Sequence, residues 1–169
     1  TRIAGEPIEE LFRRRIAEPI GMDPDAWDWG DFGEIDGIVV NGGSGNQNRH
    51  VQVNALELAR LGHLFLNRGR WKDRQLLSAA WVEAATSNQV PASTPPGQPE
   101  CRIQGSGVYG FNWWVNGVGA SGRRLWPSAP PGTFAASGYN NNKCFVVPEW
   151  EAVIVRLGLD GNVDNSIWN

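Results

Sequence analysis

The sequence predicts an α+β fold in which helices pack on an antiparallel sheet. Two observations lead to this class: segments with helical periodicity come first, and segments typical of strands come last. The clearest strands, residues 144–147 and 152–157, are short, rich in Val and Ile, and separated by a polar turn. Pro148 belongs to that turn because proline cannot donate a hydrogen bond within a sheet. The two segments therefore predict an antiparallel hairpin.

The first and third helices are predicted from apolar periodicity. Residues 7–17 place their apolar side chains on one stripe, and Pro7 suits the first turn. Pro19 is expected to stop this helix, since proline cannot continue the hydrogen-bond pattern. A shorter helix is predicted to start near Ser78, whereas residues 22–54 predict a loop-rich region.

The second helix is predicted from its cap. Asn54 is a good N-cap, Glu57 stands three residues later as in a capping box, and Gly69 is expected to end the helix. One stripe of this helix is apolar and predicts burial. The polar stripe, which includes Glu57 and Arg60, predicts exposure to solvent.

The last third of the chain predicts the strands. Residues 109–116 predict a strand on which Trp113 and Trp114 face opposite sides. The strand before the hairpin ends in Ser137 and Gly138, small residues that let another molecule approach the backbone. An edge of that kind beside a buried hairpin is suited to holding an extended substrate.

Composition limits the classes of function. A chain of 169 residues predicts a single domain over residues 1–169, and a net charge of −3 without a basic cluster argues against nucleic-acid binding. No apolar run approaches the ~18 residues of a membrane span. The chain begins at Thr1 without a signal peptide, which indicates a fragment or a processed form. Cys101 and Cys144 leave two interpretations open, one disulfide or two separate thiols.

The chain contains no recognisable nucleophile motif. No serine begins a Ser-x-x-Lys sequence, and no Gly-x-Ser-x-Gly elbow occurs, so no catalytic residue is predicted within it. His50 and His63 form no ligand cluster with the cysteines, so neither a metal nor a cofactor is predicted. The glycine-rich residues 42–45 predict a flexible turn and not a phosphate loop.

Several segments, in order, resemble the serine hydrolases of the class C β-lactamase and penicillin-binding-protein type. The resemblance covers nearly the whole chain and implies a β-lactamase/transpeptidase-like fold whose N-terminal part is missing. The similar segments are residues 7–12, 16–22, 42–45, 54–62, 66–71, 75–81, 109–114, 145–149 and 153–158.

In that family, the serine of Ser-x-x-Lys is acylated, a Tyr-x-Asn tyrosine moves protons, and a Lys-Thr-Gly strand binds the substrate. The resemblance places the first two motifs upstream of Thr1. Only the third is carried over to this chain, and it implies a substrate-binding site at Ser137, Gly138, Tyr139 and Asn140.

The match departs from the family pattern in one respect. Neither Lys nor His lies on the strand, and Tyr139 stands where relatives often have His. An ester, amide or peptide substrate therefore fits better than a β-lactam, whose carboxylate favours a cation. The resemblance further implies a periplasmic or secreted parent hydrolase, no turnover by this chain alone, and self-association through surfaces that truncation exposes.

Two other interpretations stay open. Nine tryptophans allow a carbohydrate- or peptide-binding module without catalysis. In that case, one or more of Trp27, Trp29, Trp113, Trp114 and Trp126 would stack on the ligand. Alternatively, the chain is a degenerate scaffold, which the coding sequence upstream would reveal.

Overall fold

The computed structural model describes residues 1–43, 49–95 and 105–159. Helices and small strand pairs precede the main sheet, in the order that the sequence predicts. In chain order the elements are α1 (Ile8–Phe12), a π-helical turn (Arg13–Ala17), α2 (Glu18–Ile20), β1 (Trp27–Trp29), β2 (Asp31–Ile35), β3 (Ile38–Asn41), β4 (Val51–Val53), α3 (Ala55–Leu66), β5 (Arg70–Trp71), β6 (Arg74–Gln75), α4 (Ala79–Ala85), β7 (Trp114–Val115), β8 (Phe134–Ser137), β9 (Lys143–Val147) and β10 (Ala152–Arg156).

The main sheet has four antiparallel strands in the order β10-β9-β8-β7. The predicted hairpin is confirmed: β9 and β10 pair from Val147 opposite Ala152 to Lys143 opposite Arg156. A single helical turn, Pro148–Trp150, connects them. β8 lies between β9 and β7, so the sheet places the predicted site strand beside the hairpin.

The two faces of the sheet carry different apolar clusters. Residues on β8 and β9 alternate between the faces, as the pleat requires. Ala135 and Phe145 pack with Trp126 on one face, where Trp114 joins them, whereas Trp113 lies in the other cluster. The predicted opposition of Trp113 and Trp114 is therefore confirmed. The cluster beneath α3 and α4 contains Phe65, Val82, Ala85, Trp113, Val115, Phe134, Cys144 and Val146.

Helix α3 begins as its cap predicts. The Glu57 backbone N–H donates to the Asn54 side-chain oxygen at 2.9 Å. The predicted exposure of Glu57 is wrong, because this residue is 2% exposed, with Oε2 lying 3.1 Å from Nε of Arg60. The reason is a second neighbour: Leu64 of α3 packs in the cluster of the N-terminal helix, which contains Ile20. The side of α3 that carries Glu57 and Leu64 therefore faces another helix, whereas His63 and Asn67 of the same polar stripe are exposed as predicted.

The N-terminal helix continues through Pro19, contrary to the prediction. It ends at Gly21, which adopts a left-handed φ of 71°, and the Met22 N–H donates to the Ala17 carbonyl at 2.9 Å. Proline removes the donor for the carbonyl four residues earlier, that of Arg15. The π-helical turn over Arg13–Ala17 changes the hydrogen-bond spacing at this point, which allows the helix to continue.

The region predicted as loop-rich, residues 22–54, contains four short strands. β1 pairs with β4, and β2 pairs with β3. Ile35 and Ile38 face each other across Asp36 and Gly37, whose φ values are 54° and 77°. An Asp-Gly pair with positive φ at both positions is the chemistry of a two-residue hairpin turn. This signal is present in the sequence, but the prediction of a loop-rich region did not take it into account.

The strand predicted over residues 109–116 is much shorter in the structure, where β7 covers only Trp114–Val115. The Gly110 N–H donates to the Trp113 carbonyl at 2.8 Å, and Asn112 has a φ of 60°. Glycine and asparagine are typical turn residues, and here they fold the segment back so that Tyr109 bridges to Trp114.

Replacing Gly62 with alanine is expected to destabilise the fold. A Cβ at this position would lie 2.7 Å from Val153 Cγ1 and 2.8 Å from Cys144 Sγ, well inside van der Waals contact. Overpacking of this kind costs about 1–3 kcal/mol, and better helix propensity offsets roughly 1 kcal/mol of that cost. Urea unfolding of the two proteins measures the difference as a lower midpoint for Gly62→Ala.

Gly33→Ala is the matched control. Gly33 lies in β2, and a Cβ there meets no atom within 4 Å. Its unfolding free energy should change by no more than about 0.5 kcal/mol. Equal midpoints for Gly62→Ala and the unmodified chain would show that α3 does not pack on the sheet as described.

Candidate substrate-binding edge

β8 is paired on both sides at its start but on only one side at its end. β7 pairs with Phe134 and Ala135, whereas β9 pairs with every residue as far as Ser137. Backbone groups alternate between the two sides of an antiparallel strand. The Thr133 carbonyl accepts from the Asn116 N–H at 2.9 Å on the β7 side. Ser137 lies an even number of residues after Thr133, so its N–H and C=O point to the same side of β8, away from β9. β7 does not extend far enough to pair with them.

The chain turns immediately after this open position. The Gly138 N–H donates to the Asn142 carbonyl at 2.8 Å, and residues Tyr139–Asn141 form one helical turn. Asn140 and Asn141 have φ values of 56° and 58°, a left-handed region that asparagine tolerates. The part of the chain that resembles the family's Lys-Thr-Gly strand therefore ends at Gly138, where the strand gives way to the turn. Tyr139, which is 89% exposed, borders the open edge and does not extend it.

The structure places Asn140 apart from the other three predicted site residues. Its carbonyl oxygen accepts a hydrogen bond from Nη1 of Arg156 at 2.6 Å. Arg156 lies on β10, which is on the β9 side of β8. Ser137, Gly138 and Tyr139 thus follow one another along the end of β8, while the Asn140 backbone is held towards β10.

Lys143 is a candidate site residue that sequence reasoning missed. It lies directly opposite Ser137 on β9, and its Nζ donates to Ser137 Oγ at 2.9 Å. The signal was available: a glycine, a tyrosine and three asparagines separate the two residues, and such a segment makes a tight turn that returns the chain beside itself. A cation therefore stands beside Ser137, supplied by the neighbouring strand.

The environment of Lys143 disfavours its charge. The residue is 7% exposed. Burial lowers the pKa of the Lys143 ammonium from its ordinary value, and the positive charge of Arg156, directly opposite on β10, lowers this pKa further. Among the described residues, no carboxylate lies within ion-pair distance of Lys143. The side-chain partner that the structure gives this amine is the Ser137 hydroxyl.

The tryptophans give little support to a stacking surface. Trp27, Trp113 and Trp126 are each less than 9% exposed and belong to the apolar clusters. Trp29 donates from Nε1 to the Gly42 carbonyl at 2.7 Å, and Trp114 packs edge-on against Tyr109. All five rings have packing roles within the fold.

Cys144 is buried in the sheet, and its Sγ lies 3.7 Å from the Leu58 carbonyl oxygen. Burial raises the pKa of this thiol to about 12, so it is not a nucleophile at neutral pH. Cys101 lies outside the described residues, as do Ser44 and Gly45 of the predicted glycine-rich turn.

Metal and membrane sites were also considered for the part of the chain that the structure describes. There, no group of three or more His, Cys, Asp or Glu side chains is placed to hold a metal ion. The longest helix in the same ranges, α3, has 12 residues, and none of those helices qualifies as a membrane-crossing segment.

Solved structures resemble this fold over most of the chain. A candidate 6-aminohexanoate-dimer hydrolase from Bacillus anthracis matches 98% of the chain with a TM-score of 0.60 and 21% identity. A candidate β-lactamase from Bacteroides dorei DSM 17855 matches 92% with a TM-score of 0.59 and 15% identity. A penicillin-binding-protein homologue from Caulobacter crescentus matches 88% with a TM-score of 0.55 and 18% identity.

The chain spans only 36% of the first of these proteins and 45% of each of the other two. No protein-family model matches the chain, and neither does any curated protein. At these identities the likeness establishes architecture and not activity. The resemblance drawn from the sequence segments is thus confirmed at the level of fold: the chain has part of a β-lactamase/penicillin-binding-protein-like fold.

Proposed function

We propose that this chain forms the substrate-holding part of a serine hydrolase that acts on esters, amides or peptides, and that the nucleophile lies elsewhere in the parent protein. The observation that carries the proposal is the open end of β8. There, Ser137 extends past β7, and its hydroxyl accepts a hydrogen bond from Nζ of Lys143. The three solved structures, two of them named as hydrolase candidates and the third as a penicillin-binding-protein homologue, favour this class over a binding module.

The open end of β8 suits an extended acyl group. The outward N–H and C=O of Ser137 can pair with a substrate backbone in the way that an added strand pairs with a sheet edge. Gly138 carries no side chain to obstruct that approach, and a Cβ there would meet only the Asn142 carbonyl, at 3.9 Å. The exposed ring of Tyr139 can pack against the apolar part of such a substrate.

Lys143 extends the range of substrates that the edge can accept. The sequence places no cation on β8 itself, which argues against a substrate carboxylate near Ser137. In the structure the ammonium of Lys143 reaches Ser137 Oγ from β9, so a carboxylate at this position would meet both a hydroxyl and a positive charge. The absence of a cation from β8 is therefore a weaker argument against carboxylate-bearing substrates.

Ser137 is not expected to replace the missing nucleophile. An activated serine needs a base that accepts its proton. As long as Lys143 keeps its ammonium form, it donates to Ser137 Oγ and does not accept that proton. The proposal therefore assigns Ser137 and Lys143 to binding.

The chain alone is expected to hydrolyse neither nitrocefin nor p-nitrophenyl esters above the buffer rate, because it contains no Ser-x-x-Lys sequence. Product release followed by absorbance, for the unmodified chain and for Ser137→Ala, measures this directly. Hydrolysis that disappears in Ser137→Ala would place the nucleophile on β8 and contradict the assignment. Finding Ser-x-x-Lys and then Tyr-x-Asn in the coding sequence upstream would support an enzyme, and their absence a scaffold.

The buried amine predicts a pH dependence of stability. A Lys whose pKa is lower in the folded state binds fewer protons there than in the unfolded chain, so stability rises with pH between the folded pKa and 10.5. Relative to Lys143→Met, the unmodified chain should gain unfolding free energy as the pH rises towards 10. The slope is at most about 1.4 kcal/mol per pH unit. Urea titrations at neutral and alkaline pH measure it.

Lys72→Met serves as the control, because Lys72 is an exposed lysine in the turn between β5 and β6. The alkaline gain should appear relative to Lys143→Met and not relative to Lys72→Met, whose stability should follow that of the unmodified chain at every pH. A flat difference between the unmodified chain and Lys143→Met would show that the amine is solvated.

A further inference from the structure

Arg156 connects the strand β10 to the turn beside the candidate site. Its Nη1 donates to the Asn140 carbonyl at 2.6 Å and to the Asn141 carbonyl at 3.2 Å. The Gly158 N–H donates to the Asn142 side-chain oxygen at 2.7 Å. A Cβ at Gly158 would lie 3.1 Å from Nη2 of Arg156, so this glycine leaves room for the guanidinium. The three asparagines of the turn are therefore all bonded to the end of β10 or to the residues that follow it.

The turn that Arg156 contacts has an unfavourable backbone conformation. Asn140 and Asn141 are both left-handed, with φ values of 56° and 58°. Residues other than glycine keep such a conformation where the surrounding structure fixes it. Hydrogen bonds from a charged guanidinium are stronger than those between neutral groups, and its several donors can serve two neighbouring acceptors. Arg156 therefore helps to hold the turn in this shape.

Ser137, Lys143 and Arg156 form a row across three neighbouring strands. Ser137 pairs with Lys143, and Lys143 pairs with Arg156, so the three side chains lie at one level on one face of the sheet. Burial and, after it, the positive charge of Arg156 lower the pKa of the Lys143 ammonium. Like charges directly opposite each other repel, and Nζ of Lys143 lies on the Ser137 side, 2.9 Å from Oγ. The strand that carries Arg156 is two positions from β8, roughly 10 Å away.

We propose that Arg156 is a positioning residue for the candidate binding edge. It acts through the turn, which it holds so that β8 ends openly at Ser137 and Gly138, and through Lys143, which its charge directs towards the Ser137 hydroxyl. The inference rests on the function proposed for this edge. It adds a residue that supports the edge from β10 without binding the substrate.

Arg156→Met removes both effects and is tested first without a ligand. Amide exchange of the Gly138 N–H, which bonds to the Asn142 carbonyl, should become about tenfold faster or more. The pKa of the Lys143 ammonium, measured by NMR titration, should rise because a neighbouring positive charge is lost. Arg156→Lys keeps the charge but not the planar fork of donors, so it should keep the lower Lys143 pKa and lose only the protection of Gly138.

Binding of N-acetyl-alanyl-alanine methyl ester, a neutral peptide ester, tests the link to the site. NMR titration should give a dissociation constant about tenfold higher for Arg156→Met than for the unmodified chain, with Arg156→Lys in between. The control is Arg14→Met, which removes the same charge from an exposed pair with Glu6 and should change none of the three quantities. Circular dichroism checks that each variant is folded.

The outcomes separate this inference from the proposed function. No binding of the ester by the unmodified chain would refute the proposed function and this inference with it. Equal binding by the unmodified chain and Arg156→Met would overturn this inference alone, as would an unchanged Lys143 pKa together with unchanged exchange at Gly138. Should Arg156→Met fail to fold, Arg156→Lys decides, because unchanged exchange at Gly138 in that variant would also overturn the inference.

Discussion

The antiparallel pairing of β8 with β9 is the constraint on which the rest of this structure depends. It fixes the register that sets Ser137 opposite Lys143 across the five-residue turn between them. The same register sends Phe134, Cys144 and Val146 to the helical face. A slip by one residue would exchange the two faces and expose that core. The register that buries the core therefore also places the candidate site.

That requirement also explains where the sheet remains incomplete. β7 begins only at Trp114 because Gly110 and Asn112 turn the preceding segment back, which exposes the end of β8. On the opposite side of the sheet, the chain supplies no described strand beside β10. The two open edges differ in chemistry: the end of β8 carries a hydroxyl and a buried amine, whereas β10 is apolar. The first of these edges is the one that we propose holds a substrate.

Local patterns in the sequence predict the helices, their caps and the hairpin well. The Asn54 cap, the pairing of β9 with β10 and the opposition of Trp113 and Trp114 depend on neighbouring residues, and all are found. Errors arise where a distant segment decides the outcome. Glu57 is buried because α3 packs against the N-terminal helix, and no pattern within α3 predicts that contact. Pro19 is accommodated because the helix widens into a π-helical turn.

The candidate site shows the same division. The end of a strand and the resemblance to a family motif together predict Ser137, Gly138 and Tyr139 as site residues. Placing Lys143 beside them depends on which residues pair across the turn. The measurement that tests the central claim most directly is amide hydrogen exchange at Ser137, with Ala135 as the internal reference. The account predicts rapid exchange of the Ser137 N–H, slow exchange of the Ala135 N–H, and protection of Ser137 when a peptide ester binds. Slow exchange at both residues in the free chain would mean that the end of β8 is already covered, and would contradict the account.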